Sequence, residues 1–272
     1  MRLGRSRRSD NVIDARGGRG GVGRGAAIGC GPLIVVGILA LLFGADPSEI
    51  LRMLGQQGGA TQQVEQTAPG QADEASEYVR RVLGETEDVW EDVYPAATGQ
   101  PYREPALVLY SGVYPTACGT GSSATGPFYC PSDQRVYIDL SFFNQLARMG
   151  GTGDFAPAYV IAHEVGHHIQ NLTGVLAASQ RARGRSDVSV AVELQADCYA
   201  GVWAHHADRE RDVLDESDVQ EGLDAAAAVG DDAIRGGAVA PDALSHGTSQ
   251  MRAEWFLRGF RSGDMRACDT FG

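Results

Sequence analysis

The residues best suited to chemistry are two histidines and a glutamate in the sequence A-H-E-V-G-H-H, where His163 and His167 are four residues apart. In an α-helix of 3.6 residues per turn, their imidazoles project from one face on successive turns and can hold one metal ion. Glu164 is rotated around the helix, so it flanks a metal-bound water and can act as its base. The spacing therefore predicts a zinc site with a catalytic carboxylate.

The residues around this motif indicate a buried helix. From Ala158 to Asn171, Glu164 is the one acidic residue and the chain has no Arg or Lys; the apolar and small positions are Ile161, Ala162, Val165, Gly166 and Ile169. The alternative is a chance meeting of His, Glu and His on an ordinary amphipathic helix, because short motifs produce such false positives. The uncharged flanks favour the metal site.

A second helical pattern, Ser189 to Ala204, carries Glu193 and Asp197 four residues apart and hence on a common side. A catalytic zinc takes three protein ligands and leaves the fourth position to water, and two His with one Glu is a known set. We expect Glu193 to be the third ligand. Asp197 is then expected to accept a hydrogen bond from the non-ligating N–H of a ligand imidazole. A solvated acidic face is the alternative.

These phrases support a resemblance to a known family. H-E-V-G-H-H followed by E-L-Q-A-D resembles the zincin metallopeptidases that use a glutamate ligand. The phrases G-P-F-Y-C-P, V-Y-I-D-L-S-F-F and C-Y-A-G-V-W-A, with an Arg-rich N-terminus and one apolar anchor, resemble the bacterial neutral zinc metallopeptidase family within that superfamily. The likeness runs to the final C-D-T-F. It implies a zincin-like domain that binds Zn²⁺ and acts on a peptide or protein, without implying which one.

Periodicity predicts the elements that position these residues. Helical spacing indicates helices over 73–94, stopped by Pro95, and over 141–149, 158–171, 189–204, 216–229 and 248–259. β-Branched and aromatic runs predict strands at 106–110 and 135–140. Between the strands, the Gly-rich stretch near Gly126 to Cys130 is either the edge of a substrate cleft or an ordinary surface loop. The predicted fold class is α+β, predominantly helical with a small sheet.

Composition divides the first 72 residues into three segments ahead of a domain at 73–272. Residues 1–25 carry seven Arg, two Asp and many Gly, so we expect a disordered tail. Residues 26–45 are 20 residues without a charge, the length that crosses a bilayer as a helix. Residues 46–72, rich in Gln, Gly and Thr, are expected to be a flexible linker.

The order of these segments predicts a single-pass membrane protein. Positive charge before the span keeps the tail in the cytoplasm and places 73–272 outside. A nucleic-acid-binding arm and a cleaved signal peptide are the alternatives. A cleavage site has two small residues separated by one position. Near the end of the run this pattern is missing, because Phe43 lies two positions before Ala45 and Leu42 lies two positions before Gly44. We therefore favour an uncleaved anchor.

Five cysteines are present, with Cys30 in the apolar run and four in the domain. An even number outside the cytoplasm indicates disulfides, and four cysteines allow three pairings. The preferred pairs are Cys118 with Cys130, which closes a short loop, and Cys198 with Cys268, which ties the C-terminal tail to the Glu193 helix. A structural zinc site is the alternative, but no C-x-x-C spacing supports it.

The charge of the domain limits its partners. Without the tail, the chain has 16 Arg and 33 acidic residues, which gives a net charge of −17. This disfavours nucleic acid and anionic lipid as partners and leaves cationic or neutral peptides. Membrane contact is expected through the anchor alone.

The predicted activity is the hydrolysis of peptide bonds by a membrane-anchored zinc metallopeptidase. Glu164 takes a proton from the zinc-bound water and returns it to the leaving amine. His246, in L-S-H-G-T-S, is a candidate donor to the oxyanion, or else a residue that caps or packs locally. The rivals are a non-catalytic zinc-binding envelope scaffold of zincin shape and a cell-wall peptide amidase. An intact Glu164 favours an enzyme over a scaffold.

Overall fold

Helices dominate the computed structural model, which describes residues 1–16, 73–182, 185–215 and 217–271. The helices are α1 (Glu74–Thr98), α2 (Ser141–Met149), α3 (Phe155–Leu172), α4 (Val175–Arg181), α5 (Ser186–Arg209), α6 (Asp218–Ala228), α7 (Asp231–Arg235) and α8 (Ser249–Ser262). The strands are β1 (Val12–Asp14), β2 (Ala106–Tyr110), β3 (Val113–Thr116), β4 (Gly119–Ser122), β5 (Phe128–Cys130) and β6 (Arg135–Asp139). The predicted α+β class, mainly helical with a small sheet, is confirmed.

The larger sheet has the strand order β1-β2-β6-β5. β1 and β6 pair with β2 in parallel, whereas β5 pairs with β6 antiparallel. β3 and β4 form a separate hairpin. Residues on both faces of β2 are buried, because Leu107 and Leu109 enter the main core while Val108 and Tyr110 pack in a smaller cluster. In the strand order given above, β5 is last and is therefore an edge strand of the sheet.

The main core lies where α5 packs against α3 on one side and α8 on the other. Its largest fully buried side chains include Trp90, Trp203 and Phe256. The crossing of α5 and α8 is close, because a Cβ at Gly259 would lie 1.9 Å from the carbonyl oxygen of Cys198. Any larger residue than glycine would force the two helices apart.

Both preferred disulfides are confirmed. Cys118 is joined to Cys130, which fastens the β3–β4 hairpin to β5, and Cys198 is joined to Cys268, which ties the C-terminal tail to α5. The second pair closes a loop with a sequence separation of 70 residues. In the chain-entropy model a loop of that length stabilises the fold by about 4 kcal/mol.

Several predicted boundaries were wrong. Pro95 does not stop α1, which continues to Thr98 because the proline lies in the last turn and its carbonyl still accepts from Gly99 N at 2.8 Å. Between the two predicted strands, where no strand was predicted, the structure has β3, β4 and β5. Helices α4 and α7 were not predicted either.

The prediction of a disordered tail over 1–25 is wrong for residues 1–16. Val12 lies opposite Leu107 in the sheet, and both Val12 and Leu3 are buried. Arg81 donates to the carbonyl oxygens of Leu3 and Ser6, at 2.9 Å each. The composition of this tail shows its charges and glycines, but it does not show that the domain provides hydrogen-bond partners for its polar groups.

The buried carboxylate of Glu87 on α1 also binds this tail. It accepts from Ser9 Oγ at 2.6 Å and from Asn11 Nδ2 at 2.8 Å. The last described residue of the tail, Arg16, donates to Asp73 at the start of the domain at 2.6 Å. Residues 1–16 are thus part of the same folded unit as the rest of the described domain.

The predicted anchor at 26–45 and linker at 46–72 lie outside the described residues. None of the helices in the described ranges combines the length and apolar content needed to cross a bilayer. The pairing of β1 with β2 does set one condition on the topology: residues 12–14 and 106–110 must share a compartment. A single membrane crossing between them would separate the two strands, so a cytoplasmic tail and an extracytoplasmic domain are incompatible with this sheet.

Two adjacent residues of β1 test whether the tail is folded. Val12 is 5% exposed and Ile13 is 42% exposed. Val12→Asp places an unpaired carboxylate in the core and should lower the free energy of unfolding by about 3 kcal/mol, whereas Ile13→Asp should change it by about 0.5 kcal/mol. Urea unfolding of the two variants measures both values. Equal effects would show that β1 does not pack as described.

Candidate metal centre

His163 and His167 lie on α3, and one ring nitrogen of each forms a hydrogen bond. His163 Nδ1 donates to Asp197 Oδ1 and His167 Nδ1 donates to Gln170 Oε1, both at 2.8 Å. Because these partners accept hydrogen bonds, each Nδ1 carries a proton, and a metal ion would bind at Nε2 in place of any proton there. Gln170 is oriented for this role, since its amide donates to the carbonyl of Val192 at 2.7 Å. Both Nε2 atoms are available as metal ligands.

Helix α5 brings Glu193 to the same point. Its Oε2 lies 3.3 Å from His163 Nε2, and its Oε1 lies 3.7 Å from His167 Nε2. A tetrahedral zinc with bonds of about 2.1 Å separates its ligand atoms by roughly 3.4 Å. The three donor groups therefore fit one zinc ion in type, number and spacing, as the sequence predicted.

A glycine allows the two helices to approach closely enough for this set. A Cβ at Gly166, between the two histidines on α3, would lie 2.9 Å from the carbonyl oxygen of Ala196 on α5. That separation is shorter than a normal contact with a carbonyl oxygen. The glycine of H-E-V-G-H therefore helps to bring Glu193 within reach of the imidazoles.

Asp197 is the centre of a buried network behind His163. Its Oδ1 accepts from Tyr159 at 2.5 Å as well as from His163. Arg252 on α8 donates from Nε to Oδ2 at 2.8 Å and from Nη2 to Oδ1 at 2.9 Å. Burial alone would raise the pKa of Asp197, but the Arg252 guanidinium holds it below its usual value. A charged Asp197 fixes the tautomer and orientation of His163.

Sequence reasoning missed Tyr159, Gln170 and Arg252. Arg252 is 3% exposed although arginine is almost never fully buried without a partner. Its position four residues before Phe256, on the buried face of α8, is the signal that it points inward. Gln170 follows His167 by three residues and thus lies on the same face of α3.

Glu164 lies beside this set without joining it. It is 7% exposed, and its Oε2 has no hydrogen-bond partner among the described residues. Burial raises the pKa of its carboxyl above the usual value. A buried carboxylate oxygen without a partner costs free energy, which marks this position as functional.

The local charges favour a cation between the three donors. Burial would lower the pKa of His163, but the Asp197 carboxylate more than offsets it and raises the pKa to about 9. Burial likewise opposes ionisation of Glu193, yet His167 and His163 lower its pKa. The centre therefore attracts positive charge at the point where a metal ion would bind.

His246 lines the cleft but is not one of the three donors. It follows Ser245 in the loop before α8, its side chain is 49% exposed, and it lines the same cavity as Glu164. Its Nδ1 lies 3.3 Å from Asp231 Oδ1 and 2.9 Å from Ser245 Oγ. Asp231 also accepts from three backbone N–H groups of this loop. The Nε2 atom of His246 has no partner among the described residues.

The other three histidines do not line the cleft. His168 is buried and donates from Nε2 to the Arg103 carbonyl at 2.6 Å, and burial lowers its pKa to about 4. His205 and His206 donate to backbone carbonyls at the end of α8. These contacts give all three a structural role.

The metal centre opens into a cavity of about 670 Å³. Gly126, Pro127, Phe128 and Tyr129 line one wall, so the stretch that the sequence left open as cleft edge or surface loop lies at the cleft. A second acidic group, Asp154, Asp218 and Glu221, lies elsewhere and contains no histidine. The Met1 ammonium contacts two of its carboxylates, at 2.7 Å and 3.2 Å.

The comparisons with known proteins agree with this centre. A family model described as "Putative neutral zinc metallopeptidase" matches residues 1–271. The chain belongs to this family. YpfJ of Escherichia coli (strain K12) is 43% identical over 289 aligned positions, covering 100% of this chain and 99% of YpfJ. Rv2575 of Mycobacterium tuberculosis (strain ATCC 25618 / H37Rv) is 41% identical over 85% of each chain.

Both relatives are named as uncharacterized proteins, so they do not identify a substrate. No solved structure matches the chain. The neutral zinc metallopeptidase model begins at residue 1 and thus includes β1. The N-terminal strand is therefore within the region that defines the family.

Asp197→Asn tests the support behind His163. It removes the charge that holds the imidazole and leaves Arg252 buried without a counter-ion, and we expect the affinity for Zn²⁺ to fall 10- to 100-fold. Competition with a chelating dye measures the affinity of protein shown to be folded by circular dichroism. Asp187→Asn is the matched control, because Asp187 lies on the same helix and pairs with Arg185 at the surface. An unchanged affinity for Asp197→Asn would contradict the assignment.

Proposed function

We propose that this protein is a zinc-dependent peptidase that hydrolyses peptide bonds. The observation that carries the proposal is the convergence of His163 Nε2, His167 Nε2 and the Glu193 carboxylate beside Glu164, whose buried Oε2 has no hydrogen-bond partner in the described part of the chain. Membership of the neutral zinc metallopeptidase family supports the same activity. A binding scaffold has no need of a buried, unpartnered carboxylate at this position.

The two histidines and Glu193 would hold the zinc ion. When bound, zinc polarises a substrate carbonyl and lowers the pKa of water to about 7. Glu164 takes a proton from the attacking water and delivers it to the nitrogen of the leaving amine. Asp197 and Gln170 keep the two imidazoles in their ligating orientation during this cycle.

His246 is proposed to stabilise the negative charge that develops on the carbonyl oxygen. Its Nδ1 faces Asp231 and Ser245, while its exposed ring lines the cleft. A donor held in this way costs little reorganisation when the charge develops. Asp231 thus has two proposed tasks, to fix the loop and to orient the imidazole.

An extended peptide is proposed to bind along β5. This strand is at the edge of the sheet, and Phe128 and Tyr129 line the cavity that contains Glu164. Main-chain pairing to an edge strand gives affinity that does not depend on sequence. It would place the scissile bond beside α3.

We further propose that the described domain acts outside the cytoplasm. Two disulfides support this location, because such bonds persist in oxidising compartments. Residues 1–16 belong in the same compartment, since β1 pairs with β2. Attachment to a membrane through the apolar residues 26–45 is proposed to occur without a single crossing of the bilayer, which would separate β1 from β2.

Glu164→Gln tests the catalytic assignment. The variant should retain one zinc per chain, because Glu164 is not one of the three donors, and should cleave a quenched fluorescent peptide library at least 10²-fold more slowly. Metal analysis and initial rates give the two values, and Glu254→Gln on α8 is the control at an exposed position. Equal rates for wild type and Glu164→Gln would contradict the mechanism. A wild-type protein that binds zinc but cleaves neither library nor cell-wall peptides would instead favour the scaffold.

His246→Ala tests the proposed oxyanion donor. Loss of a donor that acts in the transition state should lower kcat about 10²-fold, with KM little changed. Steady-state kinetics on one cleaved peptide give both constants. His206→Ala is the control, because His206 contacts the end of α8 and does not line the cleft. A normal kcat for His246→Ala would exclude this role.

A further inference from the structure

The rim of the cleft contains exposed apolar side chains from separate helices. Five large hydrophobic residues are exposed in the described part of the chain, and two of them, Met149 (41%) and Ile234 (57%), line this cavity. Met149 is the last residue of α2, and Ile234 lies in α7. Two exposed apolar side chains in the cavity that contains the metal centre indicate a surface that an apolar ligand covers.

The wall below this rim is apolar as well. Val160 on α3, Phe142 on α2, Leu176 on α4 and Phe128 on β5 all line the cavity. Phe128 stacks on Tyr137 with ring centroids 5.1 Å apart, so the sheet holds its ring in place. A preformed apolar wall loses little entropy when a ligand binds.

The charges in the cavity select against ionic side chains. Its charged lining residues are Glu164 and Glu193 of the metal centre and Arg252, whose guanidinium is paired with Asp197. Among the described lining residues, both carboxylates belong to the metal centre and the guanidinium is paired with Asp197, so none of them is assigned to a substrate side chain. The whole chain has a net charge of −12, which attracts cations. Apart from the metal centre, however, the described residues that line the cavity include no acidic side chain to bind a cation.

From these observations we infer that the enzyme selects substrates with a large apolar side chain, aromatic or aliphatic, next to the scissile bond. The inference rests on the peptidase function proposed above. The peptide main chain lies along β5, and the apolar side chain packs between Phe142, Met149 and Ile234. Burial of such a side chain is the source of selectivity, and the flexible Met149 adapts to its shape. The cleft thus discriminates against both acidic and basic residues at this position.

A peptide series tests the selectivity. Each residue that flanks a cleaved bond is replaced in turn by Phe, Leu, Ala, Asp or Arg. At one flanking position, kcat/KM for Phe or Leu should exceed that for Ala by about 10- to 100-fold and that for Asp or Arg by more. Binding of the same peptides to zinc-loaded Glu164→Gln, measured by fluorescence anisotropy, should follow the same order.

Rim variants locate the selective surface. Ile234→Glu and Met149→Glu should each reduce the preference for Phe over Ala by about tenfold and improve the relative rate with Arg, because each puts a carboxylate where the apolar side chain binds. Val113→Glu is the control, since Val113 is 69% exposed but does not line the cleft. Equal rates across the peptide series, a preference for Arg in the wild type, or unchanged selectivity in both rim variants would overturn the inference. None of these results would refute the peptidase function, whereas absence of all cleavage would refute that function first.

Discussion

The metal centre depends on one buried contact, the pairing of Asp197 with Arg252 behind His163. Two opposite charges removed from water stabilise each other only when their hydrogen bonds are complete, and here Tyr159, His163 and Arg252 satisfy the carboxylate. This arrangement fixes α3, α5 and α8 relative to one another through side chains that carry function. The same contact that orients the metal ligand therefore also sets the packing of the three helices.

The centre of the site was predictable because its geometry follows from helix periodicity. Residues four apart share a helix face, so the sequence alone predicts that His163 and His167 converge, and that Glu193 and Asp197 lie on one side of the next helix. Metal chemistry then assigns a ligand and its support. In the structure all four lie as this reasoning expects, with Asp197 in direct contact with His163. The disulfides were predictable for a related reason, since few pairings exist among four cysteines.

The elements that escaped prediction depend on long-range contacts. Arg252 shares a helix face with Phe256, but only the packing of α8 against α5 shows that Asp197 is its partner. The sequence around β1 is typical of an Arg- and Gly-rich disordered tail. Its pairing partner, β2, is distant in the sequence, so the strand cannot be recognised locally. β3 contains Pro115 and β4 contains Gly119 and Gly121, which have low strand propensity, and the Cys118–Cys130 bond ties the turn between them to β5. Tertiary context decides each of these cases.

The parallel pairing of β1 with β2 has a consequence for biosynthesis. Val12 is made early, but its partner Leu107 is added on the order of ten seconds later at normal elongation rates, so the first strand must wait unpaired. Proteolytic removal of a leader anywhere between Arg16 and Asp73 would detach β1 from the polypeptide. β1 would then be held only by its hydrogen bonds and buried contacts. If it dissociated, the backbone groups of β2 that face it would be left unpaired, and such an edge is a template for aggregation with other strands. Covalent attachment of the N-terminal segment thus keeps this edge of β2 covered.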